Sequence, residues 1–325
     1  IPVIDELTYS NNRKLSDIVF DNVDNGSWQW IDDTEIPTVT KTQYAAKFVP
    51  NNLDNTDYTN VIGWSDSDNV IYANIPISVV AKKLNDENVS LEYVTTEYNG
   101  SAKKPSVTVT DGNITLIENT DYEINYGENI NAGNGSVTVI FKGNYGGSLE
   151  KTFEITKKQL GDENVAIEYT TTEYSRLAKE PKVSVTDGNI TLTKNVDYTV
   201  AYSENTNVGT GKVSIKFIGN YDGNDEKTFE ITAKVLDSSN VQLEYSEVEY
   251  SGLAKEPQVT ITDGNIVLVE NVDYDIVYSD NVTVGTGKVS ITFKCNYAGN
   301  TKKTFTINAK ELNADNVILE YVTTE

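Results

Sequence analysis

The chain repeats itself. Leu84, Leu160, Leu236 and Leu312 stand 76 residues apart, as do Pro105, Pro181 and Pro257, and likewise Phe153, Phe229 and Phe305. LNDENVSLEYVTTEY from Leu84 returns as LGDENVAIEYTTTEY from Leu160, and DGNITL at Asp111 returns unchanged at Asp187 and as DGNIVL at Asp263. A fixed period constrains a chain more than any single motif, because every copy has to be the same structural unit. The period divides the chain into a first module of another type (1–83), three repeats (84–159, 160–235 and 236–311), and LNADNVILEYVTTE (312–325), which reads as the start of a truncated fourth copy. The chain is accordingly expected to be a piece of a longer array. Each full repeat holds five tyrosines, in the first Tyr93, Tyr98, Tyr122, Tyr126 and Tyr145. A tyrosine that recurs in every copy meets the same surroundings each time, so these are expected to be framework.

Within a repeat the apolar residues alternate. SVTVIFK from Ser136 places Val137, Val139 and Phe141 on one face, KTFEIT from Lys151 places Phe153 and Ile155 together, and DYEINY aligns Tyr122, Ile124 and Tyr126. Period-2 patterning without a sustained 3.6-residue period indicates strands. VTVT-DG-NITL from Val107 is a hairpin signal, and Asp111-Gly112 at its centre suits a type I′ turn. Six or seven short strands per repeat, with turns between, predict an all-β fold in which each repeat is a small Greek-key-like sandwich. Pro105, Pro181 and Pro257 stand just before a strand, where a missing donor discourages edge pairing between near-identical neighbours. The junctions are short: AKKL at Ala81, TKKQL at Thr156, TAKVL at Thr232 and NAKEL at Asn308, with no Pro-rich or Gly/Ser-rich linker.

EYNGSAKKPSVTVTDGNITLIENTDYEINYGENINAGNGSVTVIFKGNYGGSLEKTFEIT, from Glu97, resembles the tandem Ig-like repeats of bacterial cell-surface proteins, those of Gram-positive gut organisms in particular. The shared marks are Tyr-x-Gly, a proline, DY-x-x-x-Y, N-x-x-x-G, G-N-Y-x-G and a closing T-F-x-I, and they span residues 84–311. Two departures stand out: Arg176 replaces Gly100, and Cys295 replaces Gly143 and Gly219. The stretch 1–83, with GSWQW and YAAKFVP, resembles a second Ig-like module type. The resemblance implies tandem Ig-like β-sandwich modules, which the short junctions arrange as an elongated rod, in secreted or wall-anchored proteins whose repeats form a stalk, and it supplies no functional residues.

Composition removes several classes of function. With 49 Asp+Glu against 26 Lys+Arg the net charge is −23, which opposes binding to nucleic-acid phosphates or anionic membranes. The charge is spread evenly over the modules and reads as a solubility device. There is no His and one Cys, so His-based nucleophilic or zinc sites and disulfide frameworks are gone. No apolar run approaches the ~18 residues of a spanning helix.

The remaining candidates are few. Gly209-Thr210-Gly211-Lys212 lacks phosphate-loop spacing and leads into a strand, so it reads as a turn with a solvent lysine. Asp86, Glu87, Asp162 and Glu163 follow junctions, where carboxylates of two modules could converge on calcium; the variable ligands and the six to eight oxygens that calcium needs make no cofactor the expectation. Lys142, Lys216 and Lys294 are candidates for internal isopeptide bonds but alternate outward. Trp28, Trp30 and Trp64, all in the first module, form either a sugar-stacking platform or that module's core. With two phenylalanines there, Phe20 and Phe48, at least two of the three tryptophans are expected to be buried.

The reading that follows is a non-catalytic stalk of a surface or secreted protein: monomeric, metal-independent, and projecting a distal domain. Its rivals are a glycan- or host-protein-binding module built on the tryptophans, and an accessory region of a secreted polysaccharide-degrading enzyme.

Overall fold

The computed structural model describes residues 1–54, 56–313 and 316. They group into two compact units, Ile1–Lys158 and Gln159–Glu325. Residues 314, 315 and 317–325, most of the expected fourth copy, lie outside the described residues. The described fold is all-β, with short 3-10 turns and no longer helix.

In the first unit, the first repeat is two sheets. One holds Val89–Leu91, Val107–Asp111 and Ile114–Thr115; the other holds Tyr122–Tyr126, Gly133–Phe141, Ser148–Thr156 and Thr95–Glu97. Pairing is antiparallel except for Thr95–Glu97, which runs parallel beside Ser148–Thr156. Val89 and Val109 from one sheet and Tyr122, Val139 and Phe141 from the other share one core cluster, which makes the unit a sandwich. Alternation sets the register: Val137, Val139 and Phe141 are buried while Ile140 between them is exposed, since a one-residue slip would turn the whole apolar set to water.

Two features of the repeat explain residues that the period preserves. Gly135 pairs with Phe153 across the sheet, and a Cβ on Gly135 would stand 2.4 Å from the Phe153 ring. The glycine is a slot for the phenylalanine, repeated as Gly211 under Phe229 and Gly287 under Phe305. The Tyr126 hydroxyl donates to the Pro105 carbonyl at 2.7 Å, as Tyr202 does to Pro181 (2.7 Å) and Tyr278 to Pro257 (2.8 Å). Proline's carbonyl thus has a partner even though its ring nitrogen has no hydrogen to offer. The Asp111-Gly112 turn corrects the expectation of type I′. Asp111 pairs with Ile114, so the loop is Gly112-Asn113, and Gly112 takes positive φ while Asn113 does not. Glycine at the first central position is the type II′ arrangement, and it leaves Asp111 as a strand residue whose side chain turns inward.

Also in the first unit, the N-terminal module has one four-stranded sheet, ordered Gly26–Trp30, Gln43–Pro50, Val70–Pro76, Trp64–Ser65. Its inner face is covered over Trp30, Tyr44 and Ile75 by Leu15 and by the parallel pair Leu7–Thr8 and Val79–Val80.

In the second unit, the second and third repeats restate the first. Their four-stranded sheets are Tyr198–Ser203, Gly209–Phe217, Asn224–Thr232, Thr171–Glu173 and Tyr274–Ser279, Gly285–Phe293, Asn300–Asn308, Glu247–Glu249. Gly209-Thr210-Gly211-Lys212 opens a strand as expected, and Lys212 pairs with Glu204 at 3.3 Å.

Candidate functional site

Within each unit, a constellation of polar groups holds successive modules together. In the first unit, Lys82–Lys83 runs parallel beside Tyr145–Gly146 of the first repeat, and the Lys82 N–H donates to the Asn144 carbonyl at 3.0 Å. This directs the lysine side chain across the junction, where Nζ reaches Asp111 Oδ1 at 2.6 Å. Asp111 is 5% exposed, and a carboxylate so buried needs a partner. Two groups partner the carboxylate, Lys82 and the Tyr145 hydroxyl, which donates to Oδ2 at 3.2 Å, while Asn11 Nδ2 donates to the Asp111 backbone carbonyl at 3.0 Å. Asn144 Oδ1 accepts from the Val39 N–H at 3.0 Å, and Tyr9 meets Tyr145 edge-on at 5.4 Å. Burial, followed by the Asp111 charge, pushes the Tyr145 hydroxyl well above the ordinary tyrosine range.

The second unit builds the same junction between its two repeats. Lys234–Val235 runs parallel beside Tyr297–Ala298, and Lys234 Nζ lies 2.6 Å from Asp263 Oδ1. The Tyr297 hydroxyl donates to Asp263 Oδ2 at 3.4 Å, Asn296 Oδ1 accepts from the Val208 N–H at 2.9 Å, and Tyr174 meets Tyr297 edge-on at 5.6 Å. Here Arg176, the departure from glycine, donates to the Tyr297 hydroxyl and stands 3.7 Å from Asp263. Burial raises the Tyr297 pKa and the Arg176 guanidinium opposes the rise.

None of these junction residues stands out as a site in the sequence. The signal was nevertheless present: Lys82, Asp111, Asn144 and Tyr145 recur in register as Lys158, Asp187, Asn220 and Tyr221, and as Lys234, Asp263, Asn296 and Tyr297. In the sequence Asp111 beside Gly112 looks like turn chemistry, which conceals a side chain that is buried and paired.

The acidic candidates lie beside lysines or in the open. Asp86 faces Lys151 of its own repeat at 2.7 Å, Asp162 pairs with Lys227 of its own repeat, and Glu87 and Glu163 are exposed. Each aspartate thus has a lysine of its own repeat as its ion-pair partner. Among the described residues no group of three or more His, Cys, Asp or Glu is placed to hold a metal. Lys142 and Lys294 turn outward onto Glu123 (2.7 Å) and Asp275 (2.6 Å), and Lys216 is exposed.

The tryptophans divide, which corrects the expectation that at least two are buried. Trp30 alone of the three is buried, its Nε1 donating to the Ile18 carbonyl at 3.1 Å. Trp28 shares its face but is half-buried against Phe20 and Phe48, because the cover over the sheet ends near Trp30. Pairing places Trp28, Phe48, Ile71 and Trp64 in one row across all four strands. At the end of the row the half-buried Trp64 ring stacks on Tyr58 at 5.5 Å and donates through Nε1 to Asp66 at 2.8 Å. This pair lines a shallow cleft of about 520 Å³ with Asp54, Asp57, Thr59 and Asn69.

A family model described as a lipoprotein associated domain matches residues 88–157 and 165–234. No curated protein matches the chain. Among solved structures it is similar to a protocadherin gammaB7 EC3-6 cis-dimer structure (8% identity over 90% of this chain and 94% of that one, TM-score 0.23) and to the human Desmocollin-1 ectodomain (10% over 97% and 81%, TM-score 0.20). It is also similar to domains 4–9 of the surface layer protein SbsC (9% over 88% and 58%, TM-score 0.19). Likeness at this level assigns neither topology nor function. Among the described residues no helix is long and apolar enough to cross a membrane.

Proposed function

We propose that the chain is a non-catalytic spacer of a bacterial cell-surface or secreted protein, holding a distal adhesive or catalytic domain away from its anchorage. The observation that carries this reading is the junction built twice with the same groups: a buried aspartate, a lysine at 2.6 Å in both cases, a tyrosine and an asparagine. The same polar groups recur where modules meet within each unit, and they fix one module on the next. The two segments that match a lipoprotein-associated domain support a surface setting. Pulling single molecules tests the reading. Each repeat should resist and then release its 76 residues in one step, about 270 Å of contour less its folded length. A chain that extends smoothly at low force would defeat the proposal.

A second reading attaches to the N-terminal module. The stacked Trp64 and Tyr58 rings, with carboxylates and an amide around them, fit a neutral glycan, whose apolar ring faces lie on aromatics while hydroxyls bond the rim. Retention of the chain on insoluble polysaccharides, lost in Trp64→Ala with melting unchanged, would establish it; equal elution of both chains would remove it.

A further inference from the structure

We infer that the far end of the third repeat is a socket for the head of a further copy of the same repeat. The inference rests on the junction geometry and holds whether or not the spacer reading does. A junction has two sides. The head side is Asp111, Asn144 and Tyr145 in the first repeat and Asp263, Asn296 and Tyr297 in the third. The tail side is an aromatic ring, a backbone N–H and a lysine: Tyr9, Val39 and Lys82 in the N-terminal module, and Tyr174, Val208 and Lys234 in the second repeat. The two tails belong to modules of unlike sequence, yet the head takes both with matching bonds. What the head reads is therefore a three-point pattern, whatever module presents it.

The third repeat carries the tail pattern in register at Tyr250, Val284 and Lys310, and there it stands open. Tyr250 is 37% exposed against 8% for Tyr174, Val284 is 54% exposed against 36% for Val208, and Lys310 is exposed where Lys234 is half-buried. Beyond it, Leu312 is 67% exposed, whereas Leu84, Leu160 and Leu236 in the same register are buried in the repeats they open. The Asn313 N–H donates to Asn316 Oδ1 at 3.2 Å, as the Asn85 N–H does to Asn88 Oδ1 at 2.9 Å where the first repeat opens. The occupant that satisfies all of this is a repeat head, which brings a carboxylate for Lys310, an amide oxygen for the Val284 N–H and a tyrosine for the edge of Tyr250.

The test lengthens the chain by one copy of residues 236–311 set in register behind residue 311, and follows reductive methylation of individual lysines by mass spectrometry. In the original chain Lys310 should react like the exposed Lys194. In the lengthened chain it should slow several-fold, to the rate of Lys234. Replacing the added copy's equivalent of Asp263 with Asn should return Lys310 to the fast rate while the copy's last strand keeps its amide protection. Fast Lys310 reaction beside a folded added copy would overturn the socket. So would failure of the added copy to fold, since the same sequence folds behind the second repeat.

Discussion

At the residue scale, the departures from the repeat separate strain that is offset from strain that is not. Cys295 holds φ 61°, where Gly143 and Gly219 hold 68° and 67°, and its side chain is exposed. A left-handed residue with a Cβ costs about 1–2 kcal/mol, so Cys295→Gly is expected to stabilise the chain by about 1 kcal/mol in thermal or denaturant melting. Arg176 holds φ 68° where Gly100 and Gly252 stand in the other copies, but its guanidinium bonds Tyr297. Arg176→Gly should therefore bring no such gain. The opposite substitution probes the slot beneath the phenylalanine. An added Cβ at Gly211 would lie 2.5 Å from the Phe229 ring, and Gly211→Ala should destabilise by about 1–3 kcal/mol through overpacking. Trp30→Ala, which empties a buried ring's place and leaves the Ile18 carbonyl without its donor, should cost about 3–5 kcal/mol; little loss would mean that the N-terminal core does not depend on it.

At the scale of elements, the last strand of one module and the paired Asp of the next act together. Lys234→Met removes the closest cation from Asp263 and leaves it Arg176 at 3.7 Å and Tyr297 at 3.4 Å. Removing one partner of a largely buried charge destabilises more than the intact pair stabilises. The expected loss is about 1–3 kcal/mol, and hydrogen exchange should show it concentrated at Lys234–Val235 and Tyr297–Ala298, with the strands Gly209–Phe217 and Asn224–Thr232 little changed. Exchange that rises evenly through both repeats would show instead that the junction does not open separately.

At the scale of the whole molecule, the alkaline limb of stability should be steep. Tyr122, Tyr145, Tyr198, Tyr274 and Tyr297 all have hydroxyls raised above the ordinary range, burial being the largest cause in each. A group whose folded pKa is raised keeps its full contribution below the unfolded value, near 10 for tyrosine, and loses it as the pH rises toward the folded value. Melting temperature should thus be flat in this respect up to about pH 10 and fall above it, with tyrosinate absorbance appearing as the chain unfolds. Tyr145→Phe should lower the alkaline sensitivity of the first unit. Melting with and without a chelator should coincide, because Asp86 and Asp162 already face lysines; a clear fall on chelation would reveal a bound metal.

The period and its alternation by themselves determined the all-β sandwich repeat, since a 2-residue rhythm of Val137, Val139 and Phe141 has one face to bury, and a residue kept every 76 positions has one environment to meet. Tertiary structure alone decided which side chains serve a module and which serve its neighbour. Asp111 looks like a turn residue until the hairpin's register moves the turn to Gly112-Asn113 and carries the carboxylate inward to Lys82. Trp28 and Trp30 alternate identically along one strand, yet one is buried and the other half-open, because exposure depends on where Leu15 and the Leu7–Thr8 pair end over the sheet. Periodicity reports the face on which a residue lies, whereas burial requires a second element over that face, and the position of that element is set by contacts between residues far apart in the chain.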